Sequence, residues 1–403
     1  MLLVSDGGHM KILHTSDWHI GRTFHEYQTL EAARHVLGAL PELIKKHGID
    51  VVVASGDIYD TGSPNKDAVA TLRDLFRAIL ETGARLVVIS GNHDNSTKLG
   101  FAGAFSSGSG LHLLTEVDSL MHPVEITDEH GPVDFYGIPF IEPSLHRHLE
   151  WIPSDAADQN RAVGAAMDQV RGAVAKRKSK GRRSVVLSHT FAAGSQTETS
   201  DSERPITKQP LVAGGVDNVP VDVFDGVDYV ALGHIHGRLE LKPHIRYSGA
   251  VLHYSFKEAG KPRGGWLVDL VPDKGAQIEW VDFPIYRHLV ELRGTFNEIM
   301  TNKDYDKYKD YFVRVVYTDD VRQIDAMKRL QTRFPFCAEV VSEPANQAES
   351  NSSSYRDRVR GKTDLEIIEA FSKDVRNNQG LSKEEQKVLN EVLESLKLKE
   401  DSK

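Results

Sequence analysis

Residues 50–60 read DVVVASGDIYD, an apolar run that ends at a glycine and passes directly into acidic residues. A continuous apolar run of this length is typical of a β-strand buried on both faces. Three further runs share the pattern: residues 85–89, 184–187 and 229–232. A window of helical periodicity lies between the first two runs, with apolar residues at Val69, Leu72, Leu75, Phe76 and Ile79. This alternation predicts a layered α/β domain over residues 10–283.

The composition limits the class of protein. A chain of 403 residues suits a large domain with one or two smaller units. No run approaches the ~20 apolar residues of a membrane span, and the N-terminus does not resemble a secretion signal. A single cysteine, Cys337, cannot form an internal disulfide, which fits a reducing cytoplasm. The net charge of −9 argues against a basic DNA-coating protein, although the acidic ligands of a metal site would contribute to that count.

Five short polar motifs follow apolar runs directly: DWH (17–19), GDIYD (56–60), GNHD (91–94), SH (188–189) and GHIH (233–236). This placement predicts that all five lie at the carboxyl edge of a sheet, where α/β folds build their sites. In an extended chain residues i and i+2 point the same way. Asp17 and His19 are therefore expected to face one ion, and His234 and His236 likewise.

The chemistry of the motifs favours a metal site. They combine carboxylate, amide and imidazole groups without a thiolate, a set that suits Mn²⁺, Fe²⁺ or Zn²⁺. Seven such groups are too many for one ion and fit two ions about 3.5–4 Å apart that share a carboxylate. The glycines before Asp57, Asn92 and His234 are expected to let the backbone approach the charged centre closely. Each motif alone would also fit a turn, but the ordered set favours a dinuclear site.

In this order the motifs resemble the calcineurin-like metallophosphoesterase superfamily over roughly the first 280 residues. The resemblance implies a metallophosphoesterase β-sandwich flanked by helices and two divalent metals, Mn²⁺ first, with Mg²⁺, Fe²⁺ or Zn²⁺ as alternatives. One metal would be held by Asp17, His19, Asp57 and His236. Asp57 would bridge to the second metal, which is completed by Asn92, His189 and His234. Two residues would act in catalysis: His93 as the acid that protonates the leaving oxygen, and Asp60 as the residue that orients it.

Two longer stretches are similar to SbcD-type nucleases: MKILHTSDWHIGRTF (10–24) and SHTFAAGSQTETSDSERP (188–205). The second departs from the family in the loop 194–199. This resemblance implies an exonuclease and endonuclease acting on DNA ends, hairpins or similar structures in DNA repair, recombination and replication. It further implies a homodimer that joins an SbcC-type coiled-coil ATPase in a heterotetramer. The expected location is the cytoplasm, at the nucleoid. A small-molecule or nucleotide phosphodiesterase of the same superfamily stays open.

The C-terminal third has a different pattern. Residues 284–345 predict a small α+β unit of β-α-β-α-β type, which by the resemblance is a cap domain that positions DNA. Residues 346–362 are rich in Ser, Asn and Gln and predict a linker. Residues 363–399 predict two amphipathic helices, the second with a capping box of Ser382 and Glu385. Their apolar faces are expected to bind the ATPase through Leu365, Ile368, Phe371, Val388, Val392 and Leu396.

One strongly basic run, from Lys176 to Arg183, fits two interpretations. A helix end followed by a solvated turn is favoured, because charge runs usually mark solvated segments. A contact with the phosphates of DNA is the alternative that the sequence leaves open.

Overall fold

The computed structural model describes residues 8–146, 148–153, 158–177, 182–192, 218–272, 274–344, 361–375 and 380–400. The chain forms two compact units, Met1–Arg287 and His288–Lys403. The first unit contains two six-stranded sheets and the second a three-stranded sheet. Among the described residues, no helix combines the length and apolar character needed to cross a bilayer.

Six strands form the first sheet: β1 (Met10–Thr15), β4 (Val51–Ser55), β5 (Arg85–Ile89), β6 (Leu111–Leu113), β13 (Gly264–Val271) and β14 (Gly275–Asp282). Their spatial order is β14-β13-β1-β4-β5-β6. The four strands from β1 to β6 run parallel, and β13 runs antiparallel to both β1 and β14. Every residue of β4 is buried, as the continuous apolar run predicts.

Six more strands form the second sheet: β7 (Val124–Asp128), β8 (Gly131–Ile138), β9 (Arg183–His189), β10 (Tyr229–Gly233), β11 (Leu239–Lys242) and β12 (Ile245–Tyr247). Their spatial order is β11-β12-β10-β9-β8-β7, with the four central strands parallel and the two edge strands antiparallel. A two-stranded hairpin, β2 (Thr23–Phe24) with β3 (Tyr27–Gln28), follows β1.

The two sheets pack face to face. Their shared core contains Val53 and Val87 from the first sheet and Phe135, Leu187 and Ala231 from the second. Three helices pack on the outer face of the first sheet: α1 (Leu30–Leu37), α2 (Leu40–His47) and α3 (Lys66–Leu80). The outer face of the second sheet is covered by α6 (Gln159–Arg177), and two short helices follow β5: α4 (Ser96–Gly100) and α5 (Gly103–Ser106). The predicted layered α/β sandwich is confirmed.

Helix α3 shows how local sequence sets one of these layers. The Asn65 side chain caps the helix by accepting hydrogen bonds from the backbone N–H groups of Asp67 and Ala68. Of the five apolar residues that recur at helical spacing, four are buried: Leu72, Leu75, Phe76 and Ile79. The fifth, Val69, is 46% exposed, and its neighbour Ala68 is buried instead. Each residue turns the helix by about 100°, which places Val69 off the buried stripe.

In the second unit, the predicted β-α-β-α-β order is present: β15 (Leu289–Gly294), α7 (Phe296–Thr301), β16 (Phe312–Tyr317), α8 (Ala326–Arg333) and β17 (Cys337–Ser342). The three strands form a parallel sheet in the order β15-β16-β17. Its core includes Phe296, Ile299, Val313, Leu330 and Phe334.

Two helices end the chain: α9 (Asp364–Val375) and α10 (Lys383–Glu400). The predicted capping box is present, because Glu385 N–H donates to Ser382 Oγ (3.2 Å) and Ser382 N–H donates to the Glu385 carboxylate (2.8 Å). A second box, of Thr363 and Glu366, begins α9. Residues 346–360 of the predicted linker lie outside the described residues.

Candidate metal centre

The five motifs meet at one edge of the sandwich because each follows a strand of the parallel part of its sheet. Strands β1, β4 and β5 of the first sheet end at Thr15, Ser55 and Ile89, just before the DWH, GDIYD and GNHD motifs. In the second sheet, β9 ends at His189 itself and β10 ends at Gly233, directly before His234. The carboxyl ends of neighbouring parallel strands lie at the same edge, and this is where the predicted site forms.

The side chains of the motifs converge. Three groups each have ligand atoms within 4.8 Å of one another: Asp17 with His19 and His236, His19 with Asp57 and His93, and Asp17 with Asp57 and His189. The remaining two predicted ligands lie against these groups. Asn92 Oδ1 is 3.0 Å from both His189 Nε2 and His234 Nδ1. The structure therefore brings all seven predicted ligands and His93 into one cluster.

The arrangement of these atoms fits cations. The Nε2 atoms of His19 and His236 face each other at 3.1 Å, and Asp57 Oδ2 is 3.5 Å from Nε2 of both His19 and His189. Asp17, His19 and Asp57 are almost fully removed from solvent. Buried carboxylates and imidazoles are costly unless they are paired or coordinate a metal. Imidazole, carboxylate and amide donors without a thiolate match the ligand preferences of Mn²⁺, Fe²⁺ and Zn²⁺.

The backbone at the ligands is left-handed rather than extended. The φ angles are 52° at Asp17, 43° at His19, 50° at Asp57 and 105° at His234, a region that non-glycine residues seldom adopt. The expectation of strand-like alternation was therefore wrong, because Asp17 and His19 converge through a turn. Backbone hydrogen bonds hold that turn, from Asp17 N–H to the carbonyl of Gly56 (3.0 Å) and from His19 N–H to the carbonyl of Asp57 (2.9 Å). Strain of this kind concentrates at functional sites.

His234 and His236 do not point at a common atom, contrary to their expected alternation. His234 Nδ1 contacts Asn92, whereas His236 Nε2 contacts His19. The positive φ of His234 turns its side chain away from that of His236. The two histidines thus lie on opposite sides of the cluster, as expected if each binds a different metal.

Glycines allow the loops to approach one another closely. A Cβ atom at Gly91 would lie 2.1 Å from Asp57 Oδ1, and one at Gly233 would lie 1.9 Å from the carbonyl oxygen of Ser55. Both distances are too short for any side chain. The predicted need for glycine before Asn92 and His234 is therefore confirmed, and its cause is contact between strand ends.

His93 is held by two hydrogen bonds, one from its backbone and one at its ring. Its backbone N–H donates to Asp57 Oδ1 (2.9 Å), and its Nδ1 lies 2.8 Å from the carbonyl oxygen of Asp60. The Asp60 carboxylate is more distant from His93, at 3.9 Å, than from His19 Nδ1 at 3.5 Å or Arg22 Nη1 at 3.7 Å. The Asp60 carbonyl oxygen thus contacts the His93 ring, while the Asp60 side chain lies against His19 and Arg22.

Sequence reasoning missed Asp94. Its carboxylate accepts hydrogen bonds from the backbone N–H groups of Ile58, Tyr59 and Gly91, at 2.8–3.0 Å. These bonds tie the GDIYD loop to the GNHD loop and so fix the position of Asp57. Burial, and then the negative charge of Asp57, raise the pKa of Asp94 to about 6. Asp94 is the fourth residue of the GNHD motif, but an aspartate at that position is equally typical of a turn.

A second set of missed residues comes from 254–263, a segment without a recognisable motif. The Tyr254 ring packs against His19 and His236, with centroid distances of 5.5 and 5.7 Å, and its hydroxyl donates to the carbonyl of Trp18. Glu258 lies 3.9 Å from His236 Nδ1 and is paired with Arg263. Groups of this kind orient metal-binding histidines.

Burial sets the protonation of the metal-free centre. It raises the pKa of the Asp17 carboxyl to about 8. Burial would raise that of Asp57 too, but the charge and hydrogen bond of His189, and then His19, hold the pKa of Asp57 well below its usual range. For His189, burial is outweighed by Asp57, which raises the pKa of the imidazole to about 9. Because ligands must be deprotonated, metal binding at neutral pH has to displace protons from Asp17 and His189.

Three arginines of the basic run pair with carboxylates. Arg177 and Arg182 both pair with Glu125 and Asp134. Arg183 pairs with Asp128 at 2.6 Å. Arg177 ends α6, which agrees with the favoured interpretation of a helix end, but Arg183 is buried and not part of a solvated turn. Lys178 and Lys180 lie outside the described residues.

Two family models match this chain. Residues 10–238 match the model of the calcineurin-like phosphoesterase family. Residues 285–376 match the SbcD C-terminal model, described as the Type 5 capsule protein repressor C-terminal domain. Among solved structures, TT1561 of Thermus thermophilus is 15% identical and covers 68% of this chain and 99% of its own, with a TM-score of 0.39. A dimetal phosphatase from Danio rerio is 12% identical and covers 69% of this chain and 100% of its own, with a TM-score of 0.40.

The two structural likenesses have TM-scores below 0.5 and add nothing to the family assignment. The family matches carry it. The first spans more than half of the chain and includes all five motifs, and the second begins where the phosphoesterase unit ends. The protein is therefore a member of the calcineurin-like phosphoesterase family, of the SbcD type, and a metal-dependent phosphoester hydrolase.

Proposed function

We propose that this protein is the DNA nuclease subunit of a complex with an SbcC-type coiled-coil ATPase. It would hydrolyse phosphodiester bonds at DNA ends, hairpins or similar structures, as exonuclease and endonuclease, in DNA repair, recombination and replication. The observation that carries the proposal is the order of two matches in one chain, a phosphoesterase over residues 10–238 and an SbcD C-terminal region over 285–376. A cytoplasmic location at the nucleoid follows from this role.

The geometry supports a two-metal hydrolysis. Asp17, His19, Asp57 and His236 would hold one ion, and Asp57, Asn92, His189 and His234 the other, with Mn²⁺ as the first choice and Mg²⁺, Fe²⁺ or Zn²⁺ as alternatives. Such a pair of ions, when bound, supplies Lewis-acid polarisation of the phosphoryl oxygens and lowers the pKa of water. The protein's own part is to fix the ligand atoms before substrate arrives, through the left-handed turns and the glycine contacts.

His93 is proposed as the acid that gives a proton to the leaving oxygen. Its side chain is 27% exposed, whereas that of His19 is fully buried, so substrate can reach His93 at the edge of the cluster. The hydrogen bond between Nδ1 and the Asp60 carbonyl fixes the ring and leaves Nε2 as the atom that carries the transferable proton. Asp60 is accordingly proposed as a positioning residue.

The C-terminal helices α9 and α10 are proposed to dock on the ATPase. Phe371 is 60% exposed, Val388 60% and Val392 48%, while Leu365 and Ile368 are partly buried. The side chain of the sixth predicted residue, Leu396, lies outside the described residues. Large exposed apolar side chains on adjacent helices are typical of a surface that packs against a partner helix or groove. The boundaries 284–345 for the cap, 346–362 for the linker and 363–399 for the docking segment belong to this proposal.

A homodimer is proposed as the catalytic assembly. Phe101 and Phe105 are 77% and 82% exposed, with ring centroids 6.4 Å apart. They belong to the same short helical segment as Leu99 and Ala102, which line an apolar groove of about 550 Å³ against α3. An exposed apolar patch beside a groove suits a two-fold interface, in which each copy fills the groove of the other.

Two substrates test the proposed activity. The full chain should cleave a linear DNA duplex in Mn²⁺ and lose that activity in a chelator. A protein that hydrolyses bis-p-nitrophenyl phosphate but leaves DNA intact would instead be a small-molecule or nucleotide phosphodiesterase. Deleting the chain after Ser354 should preserve Mn²⁺-dependent cleavage of simple DNA while abolishing co-purification with a co-expressed SbcC-type ATPase.

A further inference from the structure

A stack of arginine and tryptophan side chains lies in the first unit, close in sequence to the metal ligands. The guanidinium of Arg238 lies 4.8 Å from the ring centroid of Trp280 and 5.4 Å from that of Trp266. The two indoles meet edge to face at 5.0 Å. Arg246 lies on Trp266, at 4.4 Å. The four side chains form one alternating cluster, the Arg–Trp stack.

The stack is anchored at every position except its outer arginine. Trp266 Nε1 donates to the carbonyl of Tyr247 (2.9 Å), and Trp280 Nε1 donates to Asp282 Oδ1 (2.7 Å). Arg246 is buried and pairs with Glu240 at 2.7 Å. The rings are therefore fixed, and each of the two acidic residues already has a partner.

Arg238 differs from Arg246 in exposure and in charge pairing. It is exposed, and within the described part of the chain it has no carboxylate within 4 Å and no side-chain hydrogen bond. Arg246, by contrast, contacts both Trp266 and Glu240. Among the described residues, Arg238 is thus a positive charge held against aromatic rings without a carboxylate partner, in a chain whose net charge is −9.

The position of Arg238 relates it to the metal centre. It is two residues beyond His236, so its Cα lies within about 7 Å of that ligand's Cα. Trp266 pairs in register with His14, near the end of the strand that leads to Asp17. The stack therefore lies at the same edge of the sandwich as the metal ligands.

We propose that Arg238 binds a backbone phosphate of the DNA strand that enters the metal centre, with Trp280 holding its guanidinium in place. The inference rests on the proposed nuclease function. It adds a contact that only a substrate with a second phosphate can make. Planar guanidinium groups bind phosphate oxygens in a bidentate manner, and stacking on an indole reduces the entropy lost on binding. Bis-p-nitrophenyl phosphate has no second phosphate, so Arg238 does not contribute to its hydrolysis.

The test is Arg238→Gln in the full chain with Mn²⁺, assayed on a fluorescent 30-base-pair duplex and on bis-p-nitrophenyl phosphate. Losing one phosphate contact should reduce the slope of log(kcat/KM) against log[KCl] by about 1 for the duplex. KM for the duplex should rise about tenfold. Hydrolysis of bis-p-nitrophenyl phosphate and the melting temperature should not change.

Two further variants make the result specific. Arg238→Lys keeps the charge and loses the planar, bidentate guanidinium group. This variant should therefore keep the salt slope and have an intermediate KM. Arg171 is an arginine of α6 that pairs with Asp168. Arg171→Gln removes the same charge from the outer helix layer and should leave the slope unchanged.

Three outcomes would overturn the inference. An unchanged salt slope in an active Arg238→Gln enzyme refutes the phosphate contact of Arg238 and leaves the proposed function standing. Equal losses on both substrates, with a lower melting temperature, assign Arg238 to folding. Failure of the unmodified protein to cleave DNA while it hydrolyses bis-p-nitrophenyl phosphate refutes the proposed function, and the inference with it.

Discussion

The metal centre and the pair of C-terminal helices depart from ordinary burial in opposite ways. In the metal centre the charged and polar side chains are inside, with Asp17 and His19 both at 0% exposure. In the helix pair apolar side chains are outside, with Phe371 and Val388 each at 60%. Buried polar groups and exposed large apolar groups are the informative exceptions to the hydrophobic rule. The first fits a bound cation, and the second motivates the proposal that the helices bind a partner protein.

The two regions also differ in what fixes their shape. At the metal centre, four left-handed residues, contacts between strand ends and the bonds to Asp94 specify each ligand position. The helix pair relies on two capping boxes and on a few partly buried residues such as Leu389 and Leu393. Substitutions should therefore abolish chemistry in the first region and change only association in the second.

The largest effect is expected from Asp57→Asn. Asp57 is the ligand placed between His19 and His189, so its loss should deplete bound metal and lower kcat by about 10³-fold or more. Metal content by mass spectrometry and cleavage of a DNA duplex measure both effects. The control is Asp50→Asn at the opposite end of β4, where the carboxylate accepts a hydrogen bond from Lys11 N–H. Full activity of Asp57→Asn would exclude a bridging role.

His93→Ala should separate chemistry from metal binding. General-acid assistance is typically worth about 10²–10⁴-fold, so kcat for DNA should fall by that amount while both ions stay bound. The loss should be much smaller for bis-p-nitrophenyl phosphate, because nitrophenolate leaves without a proton. Equal losses on the two substrates would contradict the role as acid. Metal depletion as severe as in Asp57→Asn would make His93 a ligand instead, as its place in the second cluster allows.

Phe371→Asp tests the other region. A charge at the centre of a docking surface should weaken binding to an SbcC-type ATPase by about 30-fold, the effect of a typical interface hot spot. Phe371→Leu keeps an apolar side chain and is the matched control. Binding can be measured by calorimetry, and DNA cleavage by the isolated chain should be the same for both variants. Unchanged affinity of Phe371→Asp would mean that the helices only pack within their own unit.

The last prediction concerns pH, and its readout is a difference between two shifts in melting temperature. The folded-state pKa values of Asp17 and His189 are raised to about 8 and about 9, so the stability that each contributes is lost as pH rises through those values. The loss runs from pH 3.8 to about 8 for Asp17 and from pH 6.5 to about 9 for His189. Metal binding needs the deprotonated forms, and its affinity should rise by up to about tenfold per pH unit for each proton displaced. The Mn²⁺-induced increase in melting temperature should therefore be larger near pH ~8.5 than near pH ~6.5, and a smaller increase would contradict these assignments.

Much of the site could be predicted because its signals are local in sequence. Each ligand lies within a few residues of a strand end, so a buried run followed by a polar motif was sufficient to find Asp57, Asn92 and His189. The same logic failed at Tyr254 and Glu258, which reach the centre from a segment without a motif. For Asp60 the sequence left open which of its atoms contacts His93, and the structure shows that this atom is the carbonyl oxygen.

The sequence by itself determined the layered α/β class, the order of the five motifs and the type of metal they suit. These follow from periodicity and side-chain chemistry, which are properties of neighbouring residues. Only the tertiary structure decided that Asp17 and His19 converge through left-handed turns, that Arg177 and Arg182 pair with Glu125 and Asp134, and that Arg238 lies on Trp280 without an acidic partner among the described residues. These outcomes depend on contacts between residues far apart in the chain, and local patterns carry no information about such contacts.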